Sequence, residues 1–221
     1  MVQMNDALEF GWSDEKPTDA HGYLMPAVMR SLHRIFATRS DRRLFDLGCG
    51  NGSVANTLST EGWDVTGVDP SADGVAKANE CFPEIRLMVG SAYDDLQSLY
   101  GQFPCVISLE VVEHVYAPRM YAKTLFSLVE PGGTAIVSTP YHGYWKNLAL
   151  AATGNLDKHF TALWDHGHIK FWSVRTLSIL LRDVGFRELE CHRVGRIPPL
   201  AKSMIVEARR PLDRDGHVEQ S

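Results

Sequence analysis

Leu44-Phe45-Asp46-Leu47-Gly48-Cys49-Gly50-Asn51-Gly52-Ser53, followed by Val65-Thr66-Gly67-Val68-Asp69, decides how this chain folds. An apolar strand runs into three glycines alternating with single residues, then into a helix, and a second strand ends on an acid. Such a strand–turn–helix unit builds a pocket for an adenosine-containing cofactor at the C-terminal edge of a parallel sheet. The glycines let the backbone turn sharply and approach a ligand with no Cβ in the way. Asp69 then stands where two ribose hydroxyls can donate to one carboxylate, and Pro70 shapes the backbone beneath the adenosine.

Spacing separates the cofactors. A dinucleotide fingerprint reads Gly-x-Gly-x-x-Gly and rests a pyrophosphate on the helix N-terminus. Here Gly48, Gly50 and Gly52 alternate, and Asp46 lies two residues before the first of them. A carboxylate there repels a pyrophosphate and suits the α-ammonium of S-adenosylmethionine, directly or through a water. A nicotinamide oxidoreductase is therefore the weaker reading. On these residues the chain resembles the class I S-adenosylmethionine-dependent methyltransferases, whose first motif is an acid followed by Gly-x-Gly-x-Gly. The resemblance implies a Rossmann-like α/β fold with a seven-stranded, mostly parallel sheet whose last strand is antiparallel. It also implies S-adenosylmethionine as cofactor and S-adenosylhomocysteine as product.

The remaining pattern fits that fold. Leu24, Ala27, Val28, Leu32, Ile35 and Phe36 recur at helical spacing, so 1–37 reads as an N-terminal region capped by a helix. Strands at 43–47, 64–69, 85–90, 104–109 and 134–139 alternate with helices at 52–61, 73–80, 92–100 and 118–129, which implies a parallel sheet covered on both faces. Ser173 is an N-cap, Leu177, Leu180, Leu181 and Val184 form a buried stripe, and Gly185 ends that helix. Strands at 186–195 and 204–209 follow so closely that they must pair antiparallel. The aromatic-rich segment 141–172 interrupts the alternation at the ligand edge of the sheet and reads as an inserted lid, with a short helix over 146–153.

A chain of 221 residues fits one domain, here 1–221. The net charge of −5 and the lack of a long basic run argue against nucleic acid held by its phosphates. Cys49, Cys81, Cys105 and Cys191 form no Cys-x-x-Cys pair, so they read as reduced thiols rather than a disulfide frame or zinc site. The N-terminus has no secretory pattern and no apolar run approaches about 18 residues, which leaves a cytoplasmic protein without stable membrane insertion as the expectation. The mixed-sign stretch 209–214 reads as a fraying tail.

Further site residues come from the later strand ends. By the resemblance, the end of the third strand touches the adenine; Ser91 and Ala92 occupy it, so backbone contact is expected. The fourth strand delivers Glu110-Val111-Val112-Glu113-His114. This is similar to the Glu-x-x-Glu-His element of ubiquinone-type O-methyltransferases, in some of which these side chains bind a divalent metal; Glu110 is expected to line the cofactor pocket, and no metal is assigned. The strand lacks the Asn/Asp-Pro-Pro-Tyr sequence of enzymes that methylate amino groups of nucleic acids. Transfer to a hydroxyl also needs a proton acceptor, and His168, His166 and His142 are the candidates; Tyr23 and His21 are placed to close over the cofactor.

The reading is a small-molecule methyltransferase acting on an oxygen nucleophile, with a flat or apolar acceptor suited to the lid aromatics. The alternatives are a cofactor-binding regulatory or accessory protein without turnover, or a protein methyltransferase. Departures from the resemblance limit it. Pro104 replaces the usual aspartate, and Thr139-Pro140-Tyr141-His142 replaces the usual Thr-x-Asn-Arg continuation. The cofactor residues carry over and the quinone substrate does not.

Overall fold

The computed structural model describes residues 19–160, 162–164 and 167–212. His166 and the ends of the chain lie outside them; of the expected tail 209–214 only 213 and 214 do, and its start does not fray, because Arg209 ends β7 opposite Thr134 and Arg210 N donates to Gly133 O at 3.0 Å. Helix α1 (Asp19–Ile35) precedes β1 (Arg43–Leu47), α2 (Ser53–Thr60), β2 (Asp64–Asp69), α3 (Ala72–Cys81) and β3 (Arg86–Val89). Then come α4 (Leu96–Tyr100), β4 (Phe103–Leu109), α5 (Pro118–Leu128), β5 (Val129–Pro140), α6 (Tyr144–Ala152) and α7 (Leu156–Phe160). Helix α8 (Val174–Asp183), β6 (Arg187–Val194) and β7 (Ser203–Arg209) finish the described chain.

The seven strands form one sheet in the order β3-β2-β1-β4-β5-β7-β6. The pairs among β1 to β5 are parallel, and β7 runs antiparallel to both β5 and β6. This is the Rossmann-like sheet with its final strand reversed that the sequence pattern implied. Strand order reverses between β1 and β4, and the crevice outside such a switch point is where open α/β sheets bind ligands.

Strand alternation sorts the core into two layers. Phe45, Val106, Ala135, Val137 and Met204 pack with α5 and α8 on one face. Leu44, Cys105, Ile107, Ile136 and Ile205 pack with α1, α2 and α3 on the other. Because both faces are covered, β4 is buried along its whole length and reads as a continuous apolar run.

Two boundaries differ from the sequence reading. Helix α4 starts at Leu96 rather than 92, because residues 92–94 form a turn and Asp95 caps the helix by accepting from Ser98 N. Strand β5 begins at Val129, before the Pro131-Gly132-Gly133 turn: Val129 pairs with Phe103, and the register shifts before Thr134 meets Cys105. The predicted lid helix is present as α6, and a second short helix, α7, follows it.

Helix α8 sets where the 141–172 segment must return to the sheet. Ser173 Oγ accepts from Thr176 N at 3.3 Å and Thr176 Oγ1 accepts from Ser173 N at 3.0 Å, a reciprocal cap. Ser173→Ala is expected to lower unfolding stability by about 1 kcal/mol, read as a shifted urea midpoint with an unchanged slope.

Candidate functional site

The glycine loop and the end of β2 are tied together by one carboxylate. Asp69 Oδ2 accepts from Gly50 N and Asp69 Oδ1 from Ser71 N, each at 2.9 Å. Gly48 N and Cys49 N both donate to Val68 O, at 2.8 and 3.0 Å. Gly48, Gly50 and Gly52 take φ of 95°, 51° and 76°, a left-handed backbone that strains other residues. A Cβ on Gly48 would lie 2.3 Å from Val111 Cγ2, so this position is closed to any side chain.

Asp69 thus holds the backbone around the N-cap of α3, and each oxygen keeps a lone pair for a further donor. Asp46 is 2% exposed, and its Oδ2 has no hydrogen-bond partner. Burial, with the Asp69 charge adding to it, pushes its carboxyl up to about 7. An orphaned acid beside an open-backbone loop fits the α-ammonium of an amino-acid-bearing cofactor, whose charge would keep the carboxylate ionised.

At the end of β3, Ser91 N is already taken by Asp94 Oδ2 at 2.7 Å, while Ala92 packs against the core. Pro70 is exposed just after Asp69. Glu110 has φ 56°, an uncommon conformation for a residue with a Cβ. Its N–H is shared between Ser138 O and Ser138 Oγ, at 3.2 and 3.0 Å. Its carboxylate accepts from Ser138 Oγ at 2.8 Å and Ser203 Oγ at 3.3 Å, and Tyr23 Oη lies 3.1 Å from Ser203 Oγ. Glu110 thus joins β4 to β5, β7 and α1. Burial raises its carboxyl to about 7 against the opposing effect of those hydroxyls.

Glu113 is 1% exposed, and neither carboxylate oxygen has a hydrogen-bond partner; the Thr139 hydroxyl faces it without closing a bond. Burial first, then the Glu110 charge, drive its carboxyl well up. Its backbone carbonyl accepts from Ile169 N at 3.0 Å and Lys170 N at 2.9 Å. Those bonds bring His168 against His114, with ring centroids 4.9 Å apart. Glu113, His114 and His168 each offer a ligand atom within 4.8 Å of the others, a donor set that suits a divalent transition metal. Glu110, engaged with serines, is not in that set.

The 141–172 segment is pinned at both ends. Tyr141 N donates to Lys202 O, His142 N to Trp172 O and Trp172 Nε1 to Val112 O, each at 3.0 Å. It therefore lies beside the ends of β4 and β5. His142 is 8% exposed, boxed by Phe160 and Phe171. Burial lowers both His142 and His168 to about 4, the first helped by Lys146 and the second by His114. Both are therefore neutral at neutral pH. His21 is also lowered by burial.

The contacts of Ser138, Ser203, Lys146 and Asn147 escaped the sequence reading. These residues come from separate elements, with no motif spacing to join them. Two clefts of about 390 Å³ open elsewhere, one between α1 and β5–β7–β6, the other where β1 and β2 begin. Neither contains the glycine loop, and the second opens at the edge where parallel strands start rather than end.

A family profile described as a methyltransferase domain matches residues 20–190. The ubiquinone biosynthesis O-methyltransferase of Bradyrhizobium diazoefficiens is 31% identical over 138 residues, 60% of this chain and 54% of that protein. Its namesake in Caulobacter sp. strain K31 is 37% identical over 116 residues, 51% of this chain and 46% of that protein. The chain thus spans about half the length of the curated relatives it matches. Magnesium protoporphyrin IX methyltransferase from Synechocystis, solved with S-adenosylhomocysteine, superposes with a TM-score of 0.64 at 21% identity, covering 85% of this chain and 83% of that one.

The raised Asp46 carboxyl has a signed consequence. Well below pH 4 it is protonated whether folded or unfolded; between about pH 4 and 7 the unfolded chain ionises it and the folded chain does not, so stability falls across that window and levels off once the folded group also ionises above 7. Asp46→Asn is expected to match the parent near pH 4 and to exceed it at pH 8, by up to about 4 kcal/mol, in denaturant titrations run at both pH values.

Proposed function

The chain belongs to the methyltransferase-domain family, and on that premise we propose that it transfers a methyl group from S-adenosylmethionine to an oxygen of a small organic acceptor. The observation that carries this reading is the buried Asp46 carboxyl, its Oδ2 without a partner, beside the left-handed Gly48, Gly50 and Gly52. When bound, the cofactor supplies a methyl carbon activated by a sulfonium leaving group and departs as S-adenosylhomocysteine. Asp46 takes the α-ammonium, the glycine backbone lies under the amino-acid portion, and Asp69 accepts from the ribose with Pro70 beneath the adenosine. Ser91 and Ala92 border the adenine, with Ala92 offering the backbone contact and Ser91 its hydroxyl. Glu110 closes the pocket from the β4 side, held there by Ser138 and Ser203.

The protein's task is then alignment, exclusion of water and removal of one proton. Residues 141–172 act as the lid, fastened to the Glu113 carbonyl and to Val112. His168 is assigned as proton acceptor, with His142 as the alternative; both are neutral and border the ends of β4 and β5. The names of the curated relatives support oxygen as the nucleophile. Their place in ubiquinone biosynthesis is not carried over, because the matches span about half of each relative.

Calorimetry with S-adenosylhomocysteine tests the cofactor. The parent is expected to bind in the micromolar range, Gly48→Ala to lose binding, and Asp46→Asn to weaken it at least tenfold while remaining folded. Methyl-labelled S-adenosylmethionine incubated with a fractionated extract tests the acceptor. Label in a small molecule supports the reading, label in protein replaces it, and cofactor binding with no transfer to any fraction favours a regulatory role. Once an acceptor is found, His168→Gln is expected to reduce kcat by about 10²- to 10⁴-fold with cofactor affinity retained.

A further inference from the structure

Between the end of β5 and the two short helices, three polar atoms are shut away from solvent without a hydrogen-bond partner: His142 Nδ1, Asn147 Oδ1 and His159 Nε2. They come from one strand end and two separate helices, yet they converge. The rings of His142 and His159 are 5.2 Å apart, and Asn147 faces His142 without closing a bond. Folded proteins leave few buried polar groups unpaired, so three in one place mark a position built for something else.

The charge around them has one sign. Lys146, one helix turn from Gly143, acts electrostatically on both His142 and His159. Its own ammonium touches the Lys202 carbonyl at 3.3 Å and is lowered to about 8, by burial first and then by Arg196. The acid that acts on Lys146 is Glu110, whose carboxylate is already held by two serines. The two imidazoles supply N–H donors and Lys146 an ammonium, while Asn147 Oδ1 orients the His142 ring as an acceptor, so the group asks for an anion.

Shape narrows the anion. Phe160 lies nearly parallel to the His142 ring, 13° from it at 5.8 Å, and Phe171 meets that ring edge-on at 5.1 Å. Aromatic faces beside the imidazole donors suit a planar acid, with its ring against the phenylalanines and its two oxygens on the imidazole N–H groups. We infer that His142, His159 and Asn147 form a subsite for the carboxylate of a planar organic acid, charge-matched by Lys146, and that this acid is the methyl acceptor. The second half rests on the methyltransferase reading; the binding site itself does not.

Benzoate and benzamide have the same shape and differ in charge, so they are the probes. Calorimetry on the full chain without cofactor is expected to show benzoate bound at least tenfold more tightly than benzamide. That preference should fall below threefold in His159→Gln and in Lys146→Gln, while S-adenosylhomocysteine affinity in His159→Gln stays at the parent value. His159 sits on a short surface helix, so this variant remains informative where the buried His142→Gln fails to fold. Equal binding of the two probes, or a preference that survives in both variants, overturns the subsite. It would mean that internal water satisfies these atoms.

Benzoate binding without S-adenosylhomocysteine binding would keep the subsite and sink the methyltransferase reading; the reverse would sink only the subsite. Inhibition of labelled methyl transfer by benzoate and not by benzamide supports the acid as acceptor. No inhibition at a benzoate concentration that saturates the calorimetric site overturns that part.

Discussion

The carboxylate of Asp69 accepts from Gly50 N and Ser71 N at 2.9 Å each, and in doing so fixes the loops that leave β1 and β2. Everything at the ligand edge is placed relative to that clasp. The glycine loop cannot relax away from the sheet while Gly48 N and Cys49 N are bonded to Val68 O. With the loop held, Asp46 is trapped beneath it with an oxygen unpaired. A carboxylate is expensive to bury unpaired, so a group at this edge is retained at the expense of stability, as functional sites often are.

The same conflict repeats along the edge. Glu110 and Glu113 are buried acids whose carboxyls are both driven upward, and Glu110 also carries a left-handed backbone. Ser138, Ser203 and Tyr23 compensate Glu110, whereas Glu113 is left with two orphaned oxygens facing His114 and His168. The core beneath is mostly apolar: two layers sandwich the sheet, and β4 is buried throughout. The buried acids and the left-handed Glu110 sit at strand ends, where a rigid apolar scaffold can hold them in place.

The segment 141–172 follows different physics. Helices α6 and α7 bury no residue, and Tyr144, Trp145 and Leu163 are largely exposed. Backbone bonds to the Glu113 carbonyl and the Trp172 indole bond to Val112 hold the far end of the segment. An element attached by its ends, with little apolar area of its own buried, opens at lower cost than the sheet it covers. That property suits a cover over a site that must admit and release ligands.

The strand–helix alternation and the acid–glycine motif were legible because they are local. A parallel sheet needs apolar runs and crossovers, and a tight ligand-edge turn needs glycine, so pattern determined a mostly parallel α/β sheet and placed Asp46, Gly48, Gly50, Gly52 and Asp69 at one edge, while its seven-stranded form followed from the resemblance to methyltransferases. The boundaries at α4 and β5 were missed where a side-chain cap and a register shift overrode periodicity. The sequence could nominate Glu110, Glu113, His142 and His168, but it could not say which of them touch. Ser138 and Ser203 reach Glu110 only because β7 pairs antiparallel with β5, and His159 reaches His142 only because the segment folds back on itself. Sequence determined the scaffold and the acid–glycine loop through short-range backbone chemistry; the tertiary structure decided the rest of the site, because contacts between distant elements depend on strand pairing and packing that no local spacing encodes.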